Sequence, residues 1–252
     1  MNGLKINRDS KVLISDWDNT LFGNDDSLTK LRKVLSDSEN PFIVGIASGR
    51  NIHSIIEMIN KTNFLTPPIL IPSVGSEIYI KPEDRIVYNQ LVEWKQHLSE
   101  GWEREKIVNS LKDIKNLELQ ADSEQMDFKI SYHINESTDT DQIKQRLKEQ
   151  NHKVKVIASK NKDLDILPER SGKGKAIEFL ISKFGIPAES VIVSGDSGND
   201  EDMLTIGTKA IVVGNHSEEL EKLKSKENIY FAEAEYAAGV LEGLMHYDFI
   251  HQ

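Results

Sequence analysis

Residues 11–20, KVLISDWDNT, restrict the fold more than any other stretch of the chain. Val12, Leu13 and Ile14 make an apolar run too short for a helix, the pattern of a buried strand in a parallel sheet. The run stops at Ser15, and two carboxylates follow, Asp16 and Asp18, with Asn19 and Thr20 behind them. In open α/β sheets, ligands bind just beyond the carboxyl ends of the strands. Two acids at such a place are costly unless a cation or a reacting group offsets them. Taken alone, the pair also fits an Asx-type turn that leaves the strand.

The texture around this stretch alternates. Residues 27–38 put Leu28, Leu31, Val34 and Leu35 on one helical face. Residues 42–47 read as a second buried strand, ending in Ser48-Gly49-Arg50, and a helix follows with Ile52, Ile55, Ile56 and Ile59 on its apolar side. A third strand is predicted at Ile69–Ile71, then a Gly turn and a short strand over 77–80. Alternating strands and helices with short connections argue for an α/β fold with a doubly wound, Rossmann-like parallel sheet. Near residue 87 the chain becomes richer in Lys, Glu and Gln. One amphipathic helix is predicted over 99–115 and another over 140–150. Between them MDFKISYHI alternates, with Phe128, Ile130, Tyr132 and Ile134 on one face and Lys129, Ser131 and His133 on the other. That is a half-buried strand of a small antiparallel sheet, with KVKVIA and KDLDIL as partner strands.

The first texture returns at Arg170. RSGKGKAIEFLISKFG runs from a loop into a helix closed by Gly185, SVIVSG, KAIVVG and NIYFA supply three more strands, and a helix over 236–245 ends the fold. SEELEKLKSKEN reads as a solvated helix face. The expected organisation is a core of residues 1–86 and 168–252 with an inserted, smaller α+β cap domain at 87–167.

Composition removes whole classes of function. A formal net charge of −10 over 252 residues disfavours nucleic acid and anionic membranes as partners. The absence of cysteine excludes disulfides and thiolate chemistry and leans towards a cytoplasmic setting. No apolar leader opens the sequence, no segment suits a bilayer, and the sequons at Asn60, Asn135 and Asn215 read as chance matches.

Polar clusters at strand ends or helix starts carry the chemistry: Asp16 with Asp18, Ser48 with Arg50, Lys173, and the run GDSGND with Asp196, Asn199 and Asp200. If the strand ends share one rim, four carboxylates converge, repel one another and raise their pKa values. A hard divalent cation with oxygen ligands relieves that, and Mg2+ is the usual choice beside a phosphate. Lys173 and the Ser48 hydroxyl then suit a phosphoryl oxygen. SGKGK lacks the flanks of a P-loop, and neither a GxGxxG after a strand nor a GxSxG elbow occurs. An aspartate can itself attack phosphorus, and of two acids at i and i+2 one can attack while the other moves the proton.

DWDNT, ASGR, the Lys of SGKGKA and GDSGND, in that order, resemble the haloacid dehalogenase superfamily of phosphohydrolases. VGSEIY, KISYH, KDLDILP and the closing HYDFI make the chain similar, nearly end to end, to the sucrose-6-phosphate phosphatase family within it. The resemblance implies that Asp16 is the nucleophile, Asp18 the general acid/base, Ser48 a hydrogen-bond donor to the phosphoryl group and Lys173 its counter-charge. It assigns Mg2+ to Asp16, Asp196 and the Asp18 backbone carbonyl, with Asp200 orienting the metal's waters and Asn199 near the phosphate. It implies a mobile cap that closes over the sugar and excludes water. Candidate substrate contacts are Gly49, Arg50, Glu77, Lys129, His133, Asp163 and Asp165, because carboxylates and guanidinium groups suit sugar hydroxyls. Lys129 and His133 equally fit solvent-side positions of a two-layer cap, and Asp163 and Asp165 a turn. Trp17 stands between the acids where Leu is common in the family it resembles, a packing change. The expected activity is Mg2+-dependent hydrolysis of sucrose 6-phosphate by a monomer, with a sugar-phosphate synthase as a candidate partner. A phosphatase for another disaccharide phosphate, such as mannosylfructose phosphate, and a non-catalytic phosphosugar-binding module are the alternatives.

Overall fold

The computed structural model describes residues 10–37, 42–82, 87–159 and 162–250. The opening residues 1–9 and Ser38, the expected last residue of the first helix, lie outside the described residues. The chain divides into two compact units, Met1–Leu91 with Lys173–Gln252, and Val92–Gly172.

The first unit is built on an eight-stranded sheet. In chain order its elements are β1 (Val12–Ser15), α1 (Asp25–Asp37), β2 (Ile43–Ala47), α2 (Ile52–Thr62), β3 (Ile69–Ile71), β4 (Tyr79–Ile80) and β5 (Asn89–Gln90). In the second unit follow α3 (Val92–Ser99), α4 (Arg104–Leu111), β6 (Glu118–Leu119), β7 (Ile130–His133), α5 (Thr140–Glu149), β8 (Val154–Ser159) and β9 (Asp163–Pro168). The first unit resumes with α6 (Lys173–Phe184), β10 (Val191–Gly195), α7 (Glu201–Leu204), β11 (Lys209–Val212), β12 (Ile229–Phe231) and α8 (Tyr236–His246). The sheet order is β12-β11-β10-β1-β2-β3-β4-β5, parallel from β12 to β3 and antiparallel at β4 and β5.

β1 is central and has buried residues throughout, as its unbroken apolar run requires. It pairs in parallel with β10 on one side and β2 on the other, Ile14 lying opposite both Val193 and Gly45. Parallel neighbours bring their carboxyl ends to one rim, so the segments after Ser15, Ala47 and Gly195 emerge side by side. That is the whole positional requirement for a shared site. Helices cover the sheet with leucine and isoleucine stripes, Leu28, Leu31 and Leu35 from α1, and Ile55 and Ile59 from α2. α2 is closed at both ends: Asn51 Oδ1 accepts from the Ser54 amide at 2.9 Å, and Asn63 ends the helix in a left-handed conformation.

In the second unit the sheet order is β6-β7-β9-β8, antiparallel throughout. Ile130, Tyr132 and Ile134 pack with Ile107 and Leu111 of α4 and Ile143 and Leu147 of α5 into one core. Three expectations need correction. The helix expected over 99–115 is shorter, α4 alone, because the chain turns at Gly101, with φ +76, before α4 begins; α3, which ends at Ser99, was not expected. The alternating strand is not half-buried: Lys129 and Ser131 are buried as well. Residues 124–126 fold over that face, where Gln125 bonds the backbone of Ser131 and Arg104 bonds the carbonyls of Met126 and Lys129. Lastly, residues 218–223 form a 3-10 turn that buries Leu220 and Leu223, so this stretch is more than a solvated face. No helix among the described residues is long and apolar enough to cross a membrane.

Candidate active site

Asp16 is the first residue beyond β1, and its amide still donates to Ser194 O of β10 at 2.9 Å. The backbone direction is therefore fixed by the sheet, and the residue is only 5% exposed. Lys173, the first residue of α6, is fully buried and donates to Asp16 Oδ1 and Asp200 Oδ1, both at 2.6 Å. Burial pushes the Asp16 carboxyl well above its ordinary range, against the pull of Lys173 and with a further push from Asp200 and Asp196. Burial pulls the Lys173 ammonium down, but Asp16 and Asp200 outweigh it and the net direction is up. Such an ion pair is held only while all partners are present, and losing one costs about 3–5 kcal/mol.

Asp196 and Asp200 come from the turn after β10. Asp200 Oδ2 accepts from the amides of Asp196 and Ser197 at 3.0 and 3.1 Å, so the carboxylate folds back against the strand end. Gly195 makes this possible: a Cβ there would lie 2.6 Å from Asp200 Cβ. Thr20 Oγ1 donates to Asp196 Oδ1 at 3.0 Å, fixing the third acid. Asp16, Asp196 and Asp200 each offer an oxygen within 4.8 Å of the others, and all three are buried. One buried ammonium stands against three buried carboxylates. A hard divalent cation fits that surplus and that all-oxygen donor set.

The Asp18 side chain stands apart from this cluster. Its two oxygens take a bidentate pair from Arg50, Nε to Oδ2 and Nη2 to Oδ1, both at 2.7 Å. Ser48 follows β2 and is buried, its amide donating to Ile71 O at 3.0 Å and its Oγ accepting from the Arg50 amide at 3.2 Å. Gly49 lies between them, half-exposed. Asn199 Oδ1 accepts from Ser197 Oγ at 3.1 Å, beside Asp200. Glu77 is buried among donors of its own unit, Ser73 Oγ, Tyr79 OH and Gln90 Nε2, at 3.1–3.2 Å.

The remaining candidates group in the second unit, on the paired strands β7 and β9 and, for Lys129, on the residue just before β7. Lys129 Nζ is buried 3.8 Å from Asp165 Oδ1, which also accepts from Ser131 Oγ at 2.6 Å. Burial pushes the Asp165 carboxyl up, with Lys129 and the Ser131 hydroxyl opposing. His133 Nδ1 lies 3.3 Å from Asp163 Oδ1, and Gln120 donates to that oxygen at 2.8 Å. Thus Asp16, Asp196, Asp200 and Lys173 meet directly, Asp18 meets Arg50, His133 faces Asp163 across the β7–β9 ladder, and Lys129 reaches Asp165 from just before β7. Sequence reading assigned no role to Thr20, Ser54 or Gln125. Thr20 lies inside the DWDNT motif, and Ser54 stands three residues after the helix cap, so both had a positional signal.

The family described as sucrose-6F-phosphate phosphohydrolase matches residues 9–248. Sucrose-phosphatase 1 of Nicotiana tabacum is 29% identical over 94% of this chain, which spans 59% of that protein's length. Mannosylfructose-phosphate phosphatase of Agrobacterium fabrum is also 29% identical, over 94% of this chain and 96% of its own length. The X-ray structure of the sucrose-phosphatase of Synechocystis sp. PCC6803, in complex with sucrose and phosphate, superposes with a TM-score of 0.86. It is 33% identical, over 98% of this chain and 99% of that one.

Proposed function

The chain belongs to the sucrose-6F-phosphate phosphohydrolase family of the haloacid dehalogenase superfamily, and on that premise we propose that it is a Mg2+-dependent phosphatase of a disaccharide phosphate, with sucrose 6-phosphate as the substrate. The observation that carries the reading is the Lys173 ammonium held 2.6 Å from Asp16 at the end of the central strand, with a second acid two residues on.

Asp16 is the nucleophile. Its carboxylate attacks phosphorus, the bond from phosphorus to the sugar oxygen breaks, and Asp18 gives that oxygen a proton. Asp18 then takes a proton from water as the water attacks phosphorus, the Asp16–phosphorus bond breaks, and inorganic phosphate leaves. Lys173 offsets the charge on the transferring group, and Ser48 and Asn199 bond it. Asp16, Asp196 and the Asp18 carbonyl would hold Mg2+, with Asp200 as the acidic neighbour, and the cation when bound would offset the surplus carboxylate charge and polarise a phosphoryl oxygen. Lys129, His133, Asp163 and Asp165 have the donors and acceptors that suit sugar hydroxyls.

A phosphatase for mannosylfructose phosphate is the second reading, favoured by the Agrobacterium relative, whose length this chain nearly spans. The test is phosphate release, with and without Mg2+, from sucrose 6-phosphate, mannosylfructose phosphate, trehalose 6-phosphate, glucose 6-phosphate and fructose 6-phosphate. We expect Mg2+-dependent release, fastest from sucrose 6-phosphate, and none from the Asp16→Asn variant. Preference for mannosylfructose phosphate would keep the mechanism and replace the substrate. A folded protein that binds the sugar phosphate and releases no phosphate would turn the reading into that of a binding module.

A further inference from the structure

We infer that Arg50 is a positioning residue for Asp18, holding the proton-transferring carboxylate in place, rather than a contact to the sugar. The inference rests on the phosphatase reading above and deepens it. Every nitrogen of the guanidinium is already engaged. Nε and Nη2 bond the two oxygens of Asp18 at 2.7 Å each, and Nη1 donates to Ser54 Oγ at 3.0 Å. A fork matched to a carboxylate in this way fixes the orientation of its partner as well as its distance. Asp18 sits on a loop, three residues past the strand, and its side chain is 39% exposed. Among the described residues no other side chain bonds the Asp18 carboxylate, and proton transfer needs a carboxylate held within hydrogen-bond reach of the reacting oxygen.

The arginine is in turn fixed from behind. Arg50 O accepts from the Ser73 amide at 2.8 Å, and Ser48 O from the Val74 amide at 3.0 Å, so the turn after β3 grips residues 48–50 at both ends. Ser73 and Val74 both adopt left-handed conformations, φ 54 and 57, which a β-branched residue such as Val rarely does. Strain of this kind persists where the surroundings over-determine it. Here the surroundings include the bond from Ser73 Oγ to the buried Glu77. Ser54, at the start of α2, completes the mount: its amide is taken by the helix cap and its hydroxyl by Arg50. The residues of this relay come from β2, α2 and the turn after β3, all within the first unit, and they converge on one carboxylate.

Two substrates separate the possible roles. p-Nitrophenyl phosphate lacks a sugar, and its leaving group departs without a proton. Its kcat/KM therefore reports attack by Asp16 alone, while its kcat includes the later step in which Asp18 takes a proton from water. For Arg50→Ala we expect kcat to fall on the order of a hundredfold with both sucrose 6-phosphate and p-nitrophenyl phosphate. We expect kcat/KM for p-nitrophenyl phosphate to stay at the wild-type value. Arg50→Lys, which keeps the charge without the fork, should recover only part of the loss, and Ser54→Ala should lose a few-fold in the same pattern. Adding Arg50→Ala to Asp18→Asn should not lower kcat for p-nitrophenyl phosphate further. A loss confined to sucrose 6-phosphate and expressed in a higher KM would overturn the inference in favour of a sugar contact. A fall in kcat/KM for both substrates would overturn it in favour of a phosphate contact, and unchanged kinetics would leave Arg50 without either role. Wild-type protein that turns over neither compound would remove the phosphatase reading, and the inference with it.

Discussion

Lys173 shows how a single residue fixes the character of the site. It is fully buried, yet it stays charged because Asp16 and Asp200 each sit 2.6 Å away. SGKGK in the sequence marked this lysine as a loop-to-helix residue facing a phosphate, and the ordered motifs around it made the cluster readable. Partner choice was not readable. The sequence offered Arg50 to a sugar, whereas the structure gives its fork to Asp18. Rotamers decide such pairings, and rotamers depend on packing that periodicity does not encode. Phenol groups give a separate test at this scale. Burial pushes Tyr88 and Tyr132 up to about 12 from 10.0, and the hydrogen bond to Glu242, with some burial, does the same for Tyr230. A phenol whose folded pKa lies above its unfolded value contributes stability that is fully present below the unfolded value near 10 and is lost as pH rises through about 12. Absorbance titration of the folded protein should therefore show a late tyrosine class near 12 that moves to about 10 in denaturant. A single class near 10 in the folded state would contradict the burial of Tyr88 and Tyr132 and the bond from Tyr230 to Glu242.

Elements were readable where one rule decided them. The strand expected at Ile69–Ile71 has those bounds, because three apolar residues between prolines leave little room for error. The site-bearing strands β1, β2 and β10 were found for the same reason. Failures came where a local signal competed with a tertiary one. Gly101 delayed the start of a helix expected from residue 99, and the polar face of β7 was covered by a loop with no apolar signature. At α2 the cap itself is testable. Asn51 closes the first turn through the Ser54 amide, and Ser54 holds Arg50. Asn51→Ala should cost about 1 kcal/mol of stability, read as a shift in the denaturant midpoint with an unchanged slope. No shift would mean that the cap contributes nothing beyond what water supplies.

At the level of the molecule, the parallel run from β12 to β3 does most of the functional work before any side chain is considered. It places three strand ends side by side, and the chain needs only short polar turns there to gather Asp16, Ser48 and Asp196. That architecture followed from alternation of strands and helices, and the small antiparallel sheet of the second unit from the residue-by-residue alternation of MDFKISYHI. The sugar specificity did not, since no single motif encodes which hydroxyls Lys129, His133, Asp163 and Asp165 suit. The account therefore stands or falls on the chemistry at the end of β1. The most direct measurement is peptide mass spectrometry of the protein, acid-quenched while turning over sucrose 6-phosphate with Mg2+, alongside the Asp18→Asn variant. We predict a phosphoryl group on Asp16, more abundant in the variant when it is charged with p-nitrophenyl phosphate, whose leaving group needs no proton from Asp18, because the step that removes the phosphoryl group lacks its base. Turnover with no phosphorylated peptide, or with the phosphoryl group on another residue, would contradict the assignment of Asp16 as the nucleophile.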